Sequence, residues 1–372
     1  MQLTHSEEQL HFQDMVARFL EASSPPTEVR RLMATESGYD PEVWRRLSSE
    51  LGLTGIHIPE TWGGSGFGPI ELGIATEQMG RYLYCGPFFA SSVMATYALL
   101  QMASDEAKTA LLPGLAAGET LGCLVLDDLN DPAKVGSSLA ADASGHLQGT
   151  APLVVDANNA DLMLVVARET GGLGLYLLDL LEIQDTPANG LRITPRQAID
   201  ETRKLCRVSF DHTPAVRIGD VTRQGLNRLW DHIIVALAHE MIGGAQRIFD
   251  STIEYTRLRY QFGRPIGSFQ GLKHRCADLL VQLEFARSVT FHAADCLAAG
   301  NEVAHEPAMA KAMASDLYIE VARTAIQLRG GIGFTWEDDT HLWFKRAKSS
   351  EVFMGSPHLH RERMMTMLEA IS

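Results

Sequence analysis

The sequence predicts an α+β protein of several domains, with helical segments at both ends of the chain and a strand-rich segment between them. Residues 1–117 place apolar side chains at spacings of three and four, as at Met15 and Phe19, which is the period of an amphipathic helix. Residues 118–220 consist instead of short apolar runs separated by Gly, Asn, Asp and Pro, which is typical of strands and turns. From residue 221 to the end the helical period returns.

The helical first segment contains two stretches of a different character. Residues 57–68 (HIPETWGGSGFG) combine a proline, a tryptophan and several glycines, which is typical of a loop. Residues 82–104 carry no charge over a length that could cross a membrane. Because they also contain Gly, Pro, Ser, Thr and Gln, we predict a buried helix of the core and no membrane span.

The middle segment contains seven short apolar runs, among them LGCLVL, DLMLVVA and CRVSF, which predict a small barrel or sandwich. In the last segment an apolar stripe from Ile234 to Ile253 predicts one long helix. Three further helical stretches follow, at residues 268–299, 304–330 and 357–370. The order of helices, strands and helices, with long helices at both ends, predicts α+β domains rather than a doubly wound sheet. No G-x-G-x-x-G follows a strand, so a Rossmann dinucleotide site is not predicted.

Composition narrows the class of protein. The chain has 372 residues, 45% of them apolar and 21% charged, which is ordinary for globular domains. Its 46 acidic against 32 basic side chains give a net charge of −14, which argues against a nucleic-acid partner. The five cysteines are far apart without C-x-x-C, and no signal peptide is evident, so we expect reduced thiols and a cytoplasmic protein. The 13 histidines show no H-x-x-x-H spacing, so no metal site is predicted.

Two segments of the C-terminal helical region contain residues that indicate ligand binding rather than packing alone. RLRYQFGRPIGSFQGLKH (257–274) collects cations in an otherwise acidic protein, and its FGRPIG separates two helices. A helix starting near Ser268 beside these cations would form an anion site, although a solvated basic patch has the same pattern. QLRGGIGFTWEDD (327–339) contains glycines whose backbone can approach a ligand closely or simply end a helix.

Together these two motifs resemble the acyl-CoA dehydrogenase family, as R-x-Q-F-G-x-P-I-G-x-F-Q-x-x-K-H followed by Q-L-x-G-G-x-G-F-T-W-E. GLTGIHIPETWGGSGFG, EQMGR, LLPGLAAGE and ADLMLVVAR are similar to the family's patterns elsewhere, so the resemblance covers essentially the whole chain. It implies an N-terminal helical domain (1–117), a middle β-barrel-like domain (118–220) and a C-terminal four-helix bundle (221–372). It also implies assembly as a dimer of dimers.

The resemblance implies flavin chemistry with FAD. In the family a base removes the α-proton of an acyl-CoA, a β-hydride passes to the flavin, and a 2-enoyl-CoA results. An electron-transfer flavoprotein or similar acceptor then takes the electrons. The ADP half of FAD is held by the two motifs of a neighbouring subunit, and every matching position is kept here: Arg259, Phe262, Gln270, Gln327, Gly330 and Gly331.

The half of the site that faces the flavin ring departs from the family pattern. The usual T-E-P-x-A-G-S-D is replaced by LVLDDLNDPAKVGSS (124–138), in which only Gly136 and Ser137 match. The later G-x-K-x-W-I-T-N is GTAPLVVDANN (149–159), without the Lys, Trp or Thr. We therefore expect that this subunit does not hold its own flavin ring in the usual way.

The usual bases are also missing. Where the family has the Glu of Y-E-G-T, this chain has Met354, which cannot accept a proton. The family's other position is the Glu of G-L-D-x-E-R, and here it is Ile233, although the preceding Asp231 is kept as the expected substrate-binding residue.

Glu240 is the remaining candidate for the base. It lies seven residues after Ile233 and so shares its helix face, beside the apolar stripe, with Gly243 and Gly244 expected to clear space around it. Apolar surroundings would raise the pKa of its carboxyl toward the value that a base needs. The alternative is a surface glutamate or one at a helix pair, with Arg247 at i+7 as its partner. A shifted base would suit a bulky acyl group such as a sterol side chain.

Three functions stay open at this point. The first is an acyl-CoA dehydrogenase with its own base, as a homotetramer or within an α₂β₂ enzyme. The second is a non-catalytic subunit that completes the FAD site of a homologous catalytic chain. The third is another flavoenzyme of the same fold, such as an oxidase or a nitroalkane oxidase.

Overall fold

The computed structural model describes residues 5–183, 190–300 and 305–371, and its chain forms two compact units. The first unit comprises Met1–Val29, Leu72–Tyr84 and Ile234–Ser372, and the second comprises Arg30–Glu71 and Cys85–Ile233. Each unit draws on more than one of the three predicted intervals, so the division at residues 117 and 220 stays a prediction.

Helices occupy both ends of the chain, as predicted. In chain order they are α1 (Glu7–Ser23), α2 (Pro26–Met33), α3 (Pro41–Ser49), α4 (Pro69–Arg81), α5 (Thr96–Met102), α6 (Asp105–Ala116), α7 (Leu180–Ile183), α8 (Arg223–Leu258), α9 (Gln270–Ala298), α10 (Glu306–Arg329), α11 (Thr340–Val352) and α12 (Pro357–Ile371). The long apolar stripe lies on α8, and the three later stretches correspond to α9, α10 and α12. Helix α11 was not predicted, because its buried face includes polar side chains such as Thr340, Arg346 and Ser350.

The middle of the chain forms one mixed sheet of eight strands. The strands are β1 (Gly122–Val125), β2 (Leu139–Ala141), β3 (His146–Val155), β4 (Leu162–Glu169), β5 (Gly172–Asp179), β6 (Leu191–Arg196), β7 (Leu205–Pro214) and β8 (Val216–Val221). Their order is β6-β7-β3-β2-β4-β5-β8, with β1 paired in parallel to β4. Two of the predicted runs merge into β3, which carries a register shift between Ala151 and Val154.

Most of the uncharged stretch at residues 82–104 is buried, as expected, but its helical part covers only Phe89–Ala95 and Thr96–Met102, and Ser104 is exposed. Within it Phe89–Ala95 form a π-helical segment that leads directly into α5, and every side chain of that segment is buried. In the described part of the chain, no helix combines the length and apolar character that a membrane crossing needs. All five cysteines are free thiols.

Glycines allow the helices of the first unit to pack with their main chains in contact. A Cβ added to Gly80 of α4 would lie 1.8 Å from the carbonyl oxygen of Glu240, and one added to Gly243 of α8 would lie 1.7 Å from that of Glu77. A Cβ on Gly244 would lie 2.4 Å from the Tyr318 hydroxyl of α10. The expectation that Gly243 and Gly244 clear space around Glu240 was therefore wrong, because neighbouring helices fill that space.

The α4–α8 contact makes a prediction for stability. We expect Gly243→Ala to lower the free energy of unfolding by about 3 kcal/mol, because the new methyl group must displace a main-chain oxygen. The matched control is Gly271→Ala in α9, where an added Cβ meets nothing within 4 Å and should stabilise the helix by roughly 0.5–1 kcal/mol. Thermal unfolding midpoints of both variants check this, and equal midpoints would contradict the steric account.

Candidate functional site

The first motif forms a small hairpin after α8. Strands β9 (Tyr260–Gln261) and β10 (Arg264–Pro265) pair antiparallel, and the turn residues Phe262 and Gly263 have φ of +53° and +76°. Positive φ at both positions is what a tight two-residue hairpin turn requires. Phe262 is nonetheless an unfavourable residue there, and its side chain is 91% exposed. An aromatic ring presented in this way is suited to contact with another molecule.

Arg259 stands at the base of this hairpin with its side chain exposed. Its main chain is fixed on both sides, since its N–H donates to Tyr255 and its carbonyl accepts from Ile266 at 2.8 Å. Helix α9 begins at Gln270, two residues later than predicted, and carries the exposed Lys273 near its start. The positive end of the helix dipole and these cations make this face of the unit favourable for an anion.

The second motif ends α10. Gly330 has φ +64° and a Cβ added to Gly330 or Gly331 would meet nothing within 4 Å, so the main chain is open to solvent at this place. Gln327 is exposed one turn earlier. The main chain of the two glycines is therefore accessible, and side chains at these positions would cover it.

Arg329 fixes this glycine segment, and the sequence analysis did not identify it. It is buried, and its guanidinium donates to Thr252 Oγ1 at 3.0 Å and lies 3.3 Å from Asp338. Its carbonyl oxygen accepts from the Tyr255 hydroxyl at 3.5 Å. Because Tyr255 also accepts from Arg259, the two motifs are tied together within one unit.

These residues fit the pyrophosphate of FAD. An exposed guanidinium, an uncapped helix start and an open glycine backbone are the groups that bind diphosphates in proteins. These residues account for binding of the ADP half of FAD and not of its flavin ring.

The position of the family's usual base is filled by an apolar side chain. Met354 has φ +59° and is fully buried. The loop around it is held by buried Lys311, whose ammonium donates to the carbonyl oxygens of Ser350 at 3.0 Å and Gly355 at 3.3 Å. His360 Nε2 donates to the Met354 carbonyl at 2.8 Å. Burial lowers the pKa of Lys311 to about 7.

Glu240 is buried, but its surroundings are not apolar. Arg346 of α11, also buried, donates from Nη1 to Glu240 Oε1 at 2.8 Å. The expected apolar environment was therefore wrong, and the ion pair foreseen as the alternative exists with Arg346 in place of Arg247. The carboxylate of Glu240 is therefore engaged in a buried, charge-assisted hydrogen bond. Asp231, the predicted substrate-binding residue, is buried on the part of α8 that belongs to the second unit.

The loop that meets the flavin ring in the family is closed on itself here. The carboxylate of buried Asp127 accepts hydrogen bonds from the main-chain N–H groups of Gly136 at 2.8 Å and Leu139 at 3.0 Å, and from that of Ser138. Gly136 has φ +88°. The main-chain donors of this segment are thus engaged within the chain.

One group of possible metal ligands was not predicted. His292 and Cys296 of α9 and Glu306 of α10 bring one ligand atom each within 4.8 Å of one another. The H-x-x-x-H spacing does not include this group, because its pair on α9 is H-x-x-x-C. It shares no residue with the two motifs.

Comparison with known proteins decides the family. Residues 6–119 match the acyl-CoA dehydrogenase N-terminal domain and residues 232–368 the C-terminal domain. The chain is 34% identical to acyl-CoA dehydrogenase IpdE2 of Mycobacterium tuberculosis over 359 residues, 95% of each chain. This chain is a member of the acyl-CoA dehydrogenase family. The family fold predicted from the motifs is therefore confirmed, and FAD is the family's cofactor.

Solved acyl-CoA dehydrogenases share this architecture. A variant of the Tcur3481–Tcur3483 steroid ACAD is 26% identical with a TM-score of 0.87, over 98% of this chain and 99% of the other. The ChsE4–ChsE5 complex from Mycobacterium tuberculosis is 25% identical with a TM-score of 0.88, over 99% of each chain.

The ion pair at Glu240 yields a second prediction. Glu240→Gln leaves the buried guanidinium of Arg346 without its carboxylate, and we expect a loss of about 3–5 kcal/mol in the free energy of unfolding. Glu254→Gln, an exposed change on the same helix, serves as the control. Replacing both Glu240 and Arg346 by Leu should restore much of the loss. An unchanged unfolding midpoint, with flavin reduction slowed by about 10²–10⁴-fold, would instead identify Glu240 as the base.

Proposed function

We propose that this chain is one subunit of a heteromeric, FAD-dependent acyl-CoA dehydrogenase that converts a bulky acyl-CoA thioester to its 2-enoyl-CoA. Its contribution is to hold the ADP half of an FAD whose ring lies in a homologous partner chain. One observation carries the proposal: both ADP-binding motifs are intact and exposed, while the usual base position is a buried methionine, Met354.

On the cofactor side, each residue has a role that follows from its geometry. Arg259 supplies a fixed positive charge to the pyrophosphate, and Gln270 and the start of α9 supply further donors. Gly330 and Gly331 let the main chain approach the cofactor, with Gln327 beside them, and Phe262 packs against the partner. Arg329 is a positioning residue for the glycine segment. These residues would hold FAD, which would supply the acceptor for the β-hydride of the thioester.

On the substrate side, neither the family's base position nor the buried Glu240, both within the described residues, offers a group free to remove the α-proton. Met354 has no basic atom, and Glu240 is engaged with Arg346. Asp127 takes up main-chain donors that the family directs at the flavin ring. The base would therefore come from the partner chain.

The comparisons support a heteromer and a bulky substrate. Both structural relatives are named as pairs of chains, and one is named as a steroid enzyme. Exposed apolar side chains around the two motifs are consistent with an interface, among them Tyr260, Phe262, Phe334 and Trp336. An electron-transfer flavoprotein or similar acceptor and a cytoplasmic location complete the proposal.

A second candidate function keeps catalysis within this chain, with Glu240 as the base. The burial of its carboxylate within the first unit favours it. It requires Arg346 to leave the ion pair when the thioester binds.

A third prediction tests the cofactor role. Arg259→Ala removes a charged contact to the pyrophosphate, and we expect FAD to bind the assembled enzyme roughly 10- to 100-fold more weakly. Flavin absorbance per protomer after dialysis measures this. The control is Arg45→Ala, whose guanidinium pairs with Glu42 on α3, outside both motifs. Equal flavin retention in the two variants would overturn the assignment.

A fourth prediction concerns assembly. Expressed with a homologous acyl-CoA dehydrogenase chain from the same source, this chain should purify as an α₂β₂ tetramer that contains FAD. Expressed alone, it should carry little flavin, because the ring-binding loop is closed by Asp127. Native mass and flavin content measure both expectations. A monomer with a full complement of flavin would contradict them.

A further inference from the structure

Three side chains with metal-binding atoms meet where α9 ends and α10 begins. His292 and Cys296 lie about one turn apart near the end of α9, and Glu306 is the first residue of α10. One ligand atom of each lies within 4.8 Å of those of the other two. All three side chains are half-buried, so an ion can reach them from solvent and is then partly shielded from water. No second group of this kind occurs in the described part of the chain.

The two ligands on α9 already have the separation that a metal ion requires. Residues four apart share one face of a helix, and Cys296 Sγ lies 3.6 Å from Nε2 and 3.8 Å from Nδ1 of His292. A tetrahedral zinc ion, with bonds of about 2.3 Å to sulfur and about 2.0 Å to nitrogen, holds these atoms about 3.5 Å apart. Because the sulfur is nearly equidistant from the two nitrogens, rotation of the imidazole about χ2 directs either nitrogen at the ion.

Glu306 supplies the third ligand from the next helix. Its Oε2 accepts a hydrogen bond from the main-chain N–H of His305 at 3.1 Å, which orients the carboxylate. Hydrogen bonds of this kind commonly fix the ligands of metal sites. Burial raises the pKa of the Cys296 thiol, and the carboxylates of Glu306 and Asp295 raise it further. The charge around the sulfur is therefore negative, which attracts a cation.

The donor atoms indicate which metal fits. Mg²⁺ and Ca²⁺ take oxygen ligands, whereas a thiolate together with an imidazole is a donor set for Zn²⁺. Sulfur, nitrogen and oxygen occupy three positions of a tetrahedral zinc ion and leave the fourth for water.

We propose that His292, Cys296 and Glu306 bind one Zn²⁺ ion that joins the end of α9 to the start of α10. The thiol proton is released to solvent as the zinc–sulfur bond forms. The ion stabilises the folded chain, because the unfolded chain does not hold the three ligands together. The site shares no residue with the two cofactor motifs, so this inference does not depend on the proposed function.

The test uses the full-length chain after a chelator has removed bound metal. Calorimetric titration with Zn²⁺ should show one tight equivalent. Co²⁺ is the spectroscopic probe, because it adopts the same geometry and absorbs light where Zn²⁺ does not. We expect a thiolate-to-cobalt charge-transfer band in the difference spectrum against metal-free protein, in which the absorbance of any flavin cancels. Added Zn²⁺ should abolish the band.

Two variants remove one ligand each. We expect Cys296→Ser and His292→Ala to weaken Zn²⁺ binding by more than about 100-fold, since the loss of even an outer-shell partner costs about 10–100-fold. Cys296→Ser should also lose the charge-transfer band. The matched control is Cys276→Ser, which changes the other half-buried thiol of α9 and should keep the wild-type affinity and band.

A measurement on the wild-type chain needs no variant. Alkylation of each cysteine is followed by peptide mass mapping, and a zinc-bound thiolate is protected. At a Zn²⁺ concentration ten times the dissociation constant, alkylation of Cys296 should slow by about 10-fold, since only the free fraction reacts. Alkylation of Cys276 should not change.

The outcomes are distinct. A wild-type chain that gives no charge-transfer band with Co²⁺ overturns the inference, and so does Zn²⁺ binding of unchanged affinity in both ligand variants. If the variants do not fold, the alkylation rates decide, and equal rates for Cys296 with and without Zn²⁺ overturn it. None of these results bears on the proposed function, which is tested through flavin retention.

Discussion

The first unit is organised around the place where α4 and α8 cross with their main chains in contact. No side chain fits at Gly80 or Gly243, so the two helices come closer than packing through side chains allows. This close contact fixes the position of Glu240 relative to α4. It also brings Nδ1 of His239 within 3.8 Å of the Glu77 carboxylate. The buried ion pair between Glu240 and Arg346 can form only because the helix that carries Glu240 is held in this position.

The residues that match the two halves of the family's active site differ in exposure and charge in this chain. Groups that would bind the ADP portion of FAD are exposed, positively charged and open at the main chain. Groups that would face the flavin ring and the reacting carbon atoms are buried, apolar or paired within the chain. Under the proposed function, the first surface serves a partner chain and the second interior contributes stability.

Those parts of the fold could be predicted whose sequence patterns are local, that is, contained in one continuous stretch of the chain. The stripe on α8 and the short apolar runs of the sheet follow the periods of helix and strand, and the two cofactor motifs are continuous in sequence. Helix α11 could not be predicted, because its buried face includes polar side chains, and one of them, Arg346, pairs with Glu240 far along the chain. The Glu240–Arg346 pair spans 106 residues, and the rings of His57, Tyr97 and His232 meet only in the folded chain. No spacing in the sequence indicates either contact.

The loop at Met354 has a consequence for how such a subunit can arise. Lys311 and His360 hold that loop through main-chain carbonyl oxygens, so these hydrogen bonds do not involve the side chain at position 354. After a gene duplication, one copy could therefore exchange a catalytic carboxylate for a thioether and keep the hydrogen bonds that hold this loop. The architecture thus tolerates a division of labour between sister chains, with one keeping the chemistry and the other free to diverge.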